Sequence, residues 1–191
     1  MNKKLSAEQG ARLLRLVRQT IGQRFGLEEK MGTAVDNDAD LQQSCSTFVT
    51  LKNHGNLRGC IGNLEPSDSL LESIRRNALS AAFHDQRFSP LSAEEFSQVE
   101  VEISILSSSE PLEYRNATDL VEKLRPGIDG VILQLGKSRA TFLPQVWEQL
   151  PEPVEFLNHL CEKAGLLPSA WQHDQPDIFL YQVQSFKEEQ S

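Results

Sequence analysis

The pair of glycines inside the stretch Thr47 to Pro66, TFVTLKNHGNLRGCIGNLEP, sets the tightest limit on how this chain can fold. Phe48, Val49 and Leu51 lie in a β-branched run that reads as a strand, Asn53-His54-Gly55-Asn56 has turn composition, and Leu57 begins a return strand. Gly59 and Gly62 weaken a regular ladder on the return arm, so that arm must bulge, bend sharply or approach another backbone closely. Cys60 and Ile61 are held between them. Ser69-Leu70-Leu71-Glu72 then fits a capping box, with Ser69 capping the first turn and Glu72 reaching back, and predicts a helix over about residues 69 to 84. Leu70, Ile74, Ala78 and Ala81 share one face of it, with Leu71 and Ala82 beside them. A glycine-rich turn ahead of a helix suits an anion, but Asp68 and Glu72 already put negative charge there and argue against phosphate.

A chain of 191 residues is long enough for a single domain, spanning 1–191, that buries roughly 70% of its unfolded surface. Its 19 Lys plus Arg against 27 Asp plus Glu leave a net charge of −8, which disfavours nonspecific attachment to nucleic acid or anionic membrane. Cys45, Cys60 and Cys161 are odd in number and lack paired spacing, so a disulfide framework is not expected and a reducing, cytoplasmic setting fits. The first residues contain no apolar leader core, and no run approaches the roughly 18 apolar residues of a membrane helix.

Ser6-Ala7-Glu8-Gln9 is a second capping box, opening a helix whose Leu13, Val17 and Ile21, with Leu14 and Phe25 adjoining, form an apolar stripe. Arg12, Arg15 and Arg18 on its other side read as a solvated face. The segment from Gly26 to Gln43 reads as a surface loop; Asp36, Asp38 and Asp40 alternate as in a calcium loop, without the glycine and closing Glu such a loop needs. Val99, Val101, Ile103 and Ile105 alternate with Glu100, Glu102 and Ser104, which predicts a strand with one buried and one wet face. Further on come a short helix to Leu124, strands at Gly130 to Leu135 and Ala140 to Leu143, helices at Pro144 to Leu150 and Val154 to Ala164, and a final strand at Asp177 to Phe186. Gly136-Lys137-Ser138 is no phosphate loop, because Val131 stands where that motif needs glycine. His159 and Cys161 are two apart on a helix and point in different directions, and the four histidines and three cysteines show no paired ligand spacing, so no structural metal is expected; no cofactor is assigned.

LRGCIG, preceded by FVTLK and followed by LEP, resembles the signature of the AMMECR1 domain family, which bacteria encode as protein A of the AmmeMemoRadiSam system. The resemblance continues through AAFHDQRFSPL, VEVEISIL, DGVIL, ATFLPQVWE, EFLNHLCEKAGL and Trp171, nearly the whole chain. Gln86 departs from the proline common in the family at that place, while Asp85 and Arg87 are kept. The order of elements predicts an α+β fold with an antiparallel or mixed sheet flanked by helices. The resemblance implies the same class, divided into a larger and a smaller subdomain.

The resemblance also implies a binding or adaptor component, because family members are encoded with, or fused to, Memo-like and radical-SAM proteins. An alternative is a cysteine-dependent enzyme acting on a small molecule. Its catalytic residue would be Cys60, with Arg58 lowering the thiol's pKa from about 8.5 and His54 or His84 as base. Cysteine's usual burial favours a packing role for Cys60 and an unreactive thiol. A third reading takes Gly59-Cys60-Ile61-Gly62 as the nucleic-acid clamp of KH domains, against which stand the preceding strand, where that clamp joins two helices, and the negative charge. Ligand or partner binding is expected at Arg58, Gly59, Gly62, Asn63, His84, Asp85 and Arg87, with Arg58, Asn63, His84, Asp85 and Arg87 bordering one polar concavity. A sixteen-residue helix of about 24 Å stands between the motif and the 85 to 91 loop, so they share a rim only if the chain folds back.

Overall fold

β1 (Ser46–Asn53) and β2 (Asn56–Gly62) form the expected hairpin. Its two-residue turn places His54 at φ 49° and Gly55 at φ 77°, the left-handed pair of a type I′ turn, whose twist matches the strands it joins. The ladder pairs Leu51 with Gly59 and then Lys52 with Leu57, leaving Arg58 as an extra residue. The irregularity on the return arm is thus a bulge centred on Arg58.

The computed structural model describes residues 4–27, 38–66 and 68–188. The chain divides into two compact units, Met1–Leu106 with Gln184–Ser191, and Ser107–Val183, the larger and the smaller. The fold class is α+β, as expected, with two antiparallel four-stranded sheets rather than one.

In the larger unit the strand order is β2-β1-β3-β8, where β3 is Val99–Leu106 and β8 is Val183–Lys187. β1 pairs with β3 from Ser46 opposite Leu106 to Asn53 opposite Val99. α1 (Ala7–Gly22) and α2 (Leu70–Phe83) pack on one face of this sheet. Leu13, Val17 and Ile21 of α1, Ile74 and Ala78 of α2, and Val49, Leu51 and Ile103 of the strands are fully buried there. Each large aliphatic side chain so removed from water stabilises the fold by roughly 1.5–3 kcal/mol.

Several local expectations are refined. Ser6 and Gln9 form the reciprocal capping box at α1. At α2 only half a box forms: Ser69 accepts from the Glu72 amide, while the Glu72 carboxylate pairs with Arg75. Arg12 and Arg18 are not simply solvated, since Arg12 pairs with Asp38, and Arg18 binds Glu188 and the carbonyls of Phe96 and Val99. Asp36 and most of the acidic loop lie outside the described residues; Asp38 caps a 3-10 turn at Ala39–Gln42. The second face of β3 is not wet: Glu102 is 9% and Ser104 5% exposed, because Glu102 is held by Lys52 and Lys187 and Ser104 meets Ser185.

The smaller unit has the strand order β4-β7-β5-β6, with β4 at Glu110–Pro111, β5 at Gly130–Leu135, β6 at Ser138–Phe142 and β7 at Asp177–Tyr181. The single final strand predicted for Asp177 to Phe186 is instead two, β7 and β8, in different sheets. α4 (Ala117–Lys123), α5 (Pro153–Lys163) and α6 (Ala170–His173) accompany the second sheet, and residues Pro144–Glu148 form a 3-10 turn instead of an α-helix. Trp147 stacks on Phe156 at 3.7 Å between ring centroids, at the centre of a separate hydrophobic core. Arg115 with Asp119, and Arg125 with Asp129, repeat one device: the Asp carboxylate accepts both the backbone N–H and the guanidinium of the Arg four residues earlier.

Candidate functional site

The chain does fold back. Residues after Gly62 reverse direction, and α2 crosses β2 so closely that a Cβ on Gly59 would overlap the carbonyl oxygen of Ala81. A Cβ on Gly62 would overlap the Phe48 ring and the Thr47 carbonyl. Both glycines are therefore needed for close approach, Gly59 to a helix backbone and Gly62 to the neighbouring strand.

Asp85, two residues past the end of α2, is consequently delivered to β2. β2 is an edge strand, and the outward N–H of Cys60 donates to Asp85 Oδ2 at 2.9 Å. Arg87 donates to the outward Cys60 carbonyl at 3.2 Å and to both oxygens of Asp85 at 2.9 and 2.7 Å. The Asp85–Arg87 pair thus makes the two bonds that a further strand would make at Cys60, and closes the sheet edge there. The Asp85 side chain is only 5% exposed, whereas that of Arg87 is 55% exposed. Hydrogen bonds from Arg87 hold the Asp85 carboxyl well below the usual carboxylate range, against the opposing effect of burial.

The bulge sends Arg58 elsewhere. Its guanidinium makes a two-pronged pair with Glu95, at 2.9 and 3.0 Å, and donates to the Ser89 carbonyl at 2.9 Å. Glu95 also completes the capping box of α3 (Ala93–Phe96) by accepting from the Ser92 amide, and the bond from Arg58 lowers its pKa. Phe88 lies under both guanidinium groups, 5.7 Å from Arg58 and 5.5 Å from Arg87. Arg58 is thus committed to Glu95 and Ser89, with no hydrogen bond to the Cys60 thiol.

Asn63 belongs to a different cluster. Its Oδ1 accepts from Ser73 at 3.0 Å and from Asn77 at 3.1 Å, and the Asn77 amide also reaches the carbonyl and hydroxyl of Thr47. Thr47, Ser73 and Asn77 are buried, so this network fixes where β2 leaves the sheet and α2 begins. Replacing Asn63 with alanine is expected to cost about 1–3 kcal/mol by stripping an acceptor from buried donors, read as a lower urea midpoint with an unchanged slope. An unchanged midpoint would show that the network contributes nothing to stability. His84 is exposed at the C-terminal end of α2, and its ring makes no hydrogen bond or ion pair among the described residues. Arg58, Cys60, Asp85 and Arg87 are therefore brought together, while Asn63 lies in the neighbouring network and His84 faces outward.

The Cys60 side chain points to the sheet face opposite α1 and α2, as the alternation with the buried Leu51 and Val49 requires. Thr50 is directly opposite on β1 and donates to Cys60 Sγ at 3.2 Å; Glu102 is directly opposite Thr50 on β3. Neither His54, exposed in the hairpin turn, nor His84 hydrogen-bonds the thiol. Sequence reasoning passed over Thr50, Glu95, Glu102 and Asn77, whose roles depend on pairing across strands and elements. Among the described residues no group of three His, Cys, Asp or Glu is placed to hold a metal ion, and no helix is long and apolar enough to cross a membrane. A groove of about 190 Å³ lies elsewhere, in the smaller unit between residues 111–114 and 175–179. It contains none of the residues around Cys60.

The fold and motif define an α+β protein in which a bulged edge hairpin is locked to the segment after its following helix. The sequence matches the AMMECR1 family over residues 14–186, and the chain belongs to that family. A protein of Methanothermobacter thermautotrophicus is 36% identical over 186 residues, covering 97% of both chains. One of Thermofilum pendens is 35% identical over 196 residues, covering 97% of this chain and 92% of the relative. The crystal structure of an uncharacterized protein from Pyrococcus horikoshii superposes with a TM-score of 0.84 at 31% identity, over 98% of this chain and 95% of the other.

Proposed function

We propose that this protein is a binding or adaptor component that works with Memo-like and radical-SAM proteins, the partners its family resemblance implies. The observation carrying this reading is that the polar groups of the motif are spent internally. Asp85 and Arg87 hold each other and the Cys60 backbone, Arg58 holds Glu95, and neither His54 nor His84 bonds the thiol. Such a segment is a rigid platform rather than an assembled acid–base pair. Around it Leu57 is 43% exposed and Leu64 39%, and His84 and Arg87 are open to solvent. Titration of Memo-like and radical-SAM partners against wild type, Leu57→Asp and His84→Ala tests this. Micromolar binding by wild type, weakened about tenfold or more by Leu57→Asp, roughly 1.4 kcal/mol, is the expected result. If neither partner binds wild type, the adaptor reading is wrong.

A second reading, thiol chemistry at Cys60 on a small molecule, is favoured by one observation: the half-buried thiol accepts a hydroxyl hydrogen bond from Thr50 beside Glu102. The nucleic-acid reading loses its structural basis, because Gly59 to Gly62 lie within a strand instead of joining two helices.

A further inference from the structure

We infer that the groove in the smaller unit binds an organic cation, a guanidinium or ammonium group on a short apolar stem, with Glu113 and Asp177 as its counter-charges and Tyr114, Phe179 and two prolines as its walls. The inference is independent of both readings of the LRGCIG motif. It adds a binding site in the unit that does not contain Cys60.

Two segments in antiparallel register form the groove. Pro111 of β4 is opposite Phe179 of β7, and the Leu112 N–H donates to the Ile178 carbonyl at 2.8 Å. One step further the same register sets Glu113 opposite Asp177, on the face of Pro111 and Phe179, while Leu112 and Ile178 turn into the core. The Tyr114 hydroxyl donates to the Pro176 carbonyl at 2.5 Å and holds the segments together where the ladder ends. Like charges directly opposite one another weaken a strand pair. Here both carboxylates are exposed, and among the described residues neither accepts a hydrogen bond or forms an ion pair. The neighbouring cations are already matched. Lys123 Nζ donates to the Glu113 backbone carbonyl at 2.7 Å, but its ion pair is with Asp119 at 3.2 Å. Arg115 also pairs with Asp119 and has Glu122 beside it. Arg139, beyond Gln134 in the cross-strand row of Asp177, is engaged as well. Two negative charges therefore remain at the groove without an internal cation.

The lining selects among cations. At about 190 Å³ the groove is smaller than the roughly 300 Å³ at which sites for drug-sized ligands begin, so it admits one side chain or a small amine. Pro111 has no N–H to offer at the outer edge of β4, so an occupant is held by side chains and not as an added strand. A metal ion needs further ligands, and among the described residues no group of three His, Cys, Asp or Glu is placed to supply them. The rings of Tyr114 and Phe179 attract a cation and, with Pro111 and Pro176, cover an apolar stem. Burial first, and then the Asp177 charge, raise the Tyr114 pKa, so the hydroxyl stays neutral and keeps an acceptor lone pair for an N–H. A guanidinium, with five donors in a planar fork, can bond both carboxylates at once.

The test follows backbone amide chemical shifts of the full chain as agmatine or, separately, N-acetyl-arginine methylamide is added. The first probe is a free amine, and the second presents the side chain as a protein would. The expected result is movement confined to Glu113, Tyr114, Gln175, Asp177 and their neighbours, with a Kd on the order of 1 mM for at least one probe. Glu113→Gln and Asp177→Asn should each weaken binding about tenfold, and the double variant should abolish it. Both positions are exposed, so thermal melts should show every variant folded. The neutral citrulline analogue of the second probe should leave the same amides unmoved. Binding of agmatine alone assigns the site to a small diffusible amine, whereas equal or tighter binding of the blocked arginine assigns it to a side chain of another protein. The site is refuted if neither probe moves the groove amides, if the citrulline analogue binds equally well, or if the folded double variant binds like wild type. Shifts spread over the acidic surface of this chain of net charge −8, without a groove response, refute it equally.

Discussion

Asp85→Ala is expected to lower the thermal midpoint by roughly 5–10 °C, from a loss of about 2–3 kcal/mol in a chain of this size. Removing one member of a fully buried ion pair costs more, about 3–5 kcal/mol. Here the other member, Arg87, has a 55% exposed side chain and returns to water when released. What remains stranded is the outward N–H of Cys60, with the Arg87 amide beside it. The pH dependence has a definite sign. The folded-state pKa of Asp85 lies below its unfolded value, first because of the hydrogen bond from Arg87. Its contribution is therefore complete well above the unfolded pKa of about 3.9 and is lost as pH falls through that value toward the folded pKa. Denaturant melts of wild type and Asp85→Asn, compared at neutral pH and in acid, should converge as pH falls. A constant gap between them would show that Asp85 is not the titrating group.

Gly59→Ala should be more damaging still, leaving little soluble folded protein. The added methyl would meet the Ala81 carbonyl oxygen, which belongs to a helix backbone and cannot swing aside as a side chain could. Relieving the overlap means separating α2 from β2, at a cost of about 3 kcal/mol or more, beyond ordinary overpacking. Gly55→Asn supplies the control, since Gly55 also has no side chain but sits in open space at φ 77°, a conformation that asparagine tolerates. Soluble yield and circular dichroism of the two variants compare them directly. A Gly59→Ala protein as stable as Gly55→Asn would disprove the close approach of helix and strand.

The elements legible in the sequence are those whose causes are local. The hairpin was visible in its turn residues, α1 in its capping box and stripe, and α2 in the spacing of Leu70, Ile74, Ala78 and Ala81, all of which are buried. The irregularity of the return arm was also legible, though not that its extra residue is Arg58. Contacts made at a distance were hidden. The length of α2 argued that Asp85 would lie far from the motif, yet the reversal after Gly62 turns that length into the means of bringing Asp85 back to Cys60. Glu102 read as a wet position because Lys187, one of its partners, is far along the chain. Asp177 to Phe186 read as one strand because no glycine or proline marks the break at Gln182. The Arg–Asp pairs at 115 and 119, and at 125 and 129, could have been read from their spacing, because both partners of each belong to one turn.

The strand order β2-β1-β3-β8 also governs how the protein is made. β8 follows every other described strand in the chain, and residues Ser107–Gln182 of the smaller unit leave the ribosome before it. β3 must wait with its outer edge open throughout that interval, during which the nascent chain exposes a row of unpaired amides. Closure then depends on a few late residues: Glu188, whose backbone and carboxylate both bind Val101 and whose carboxylate is gripped by Arg18 of the first helix, and Gln184, which bonds both backbone groups of Leu5. Helix α1 is thus completed by a strand made more than 150 residues later, and a chain released before Glu188 would lack the contacts that tie β8 to Val101 and Arg18.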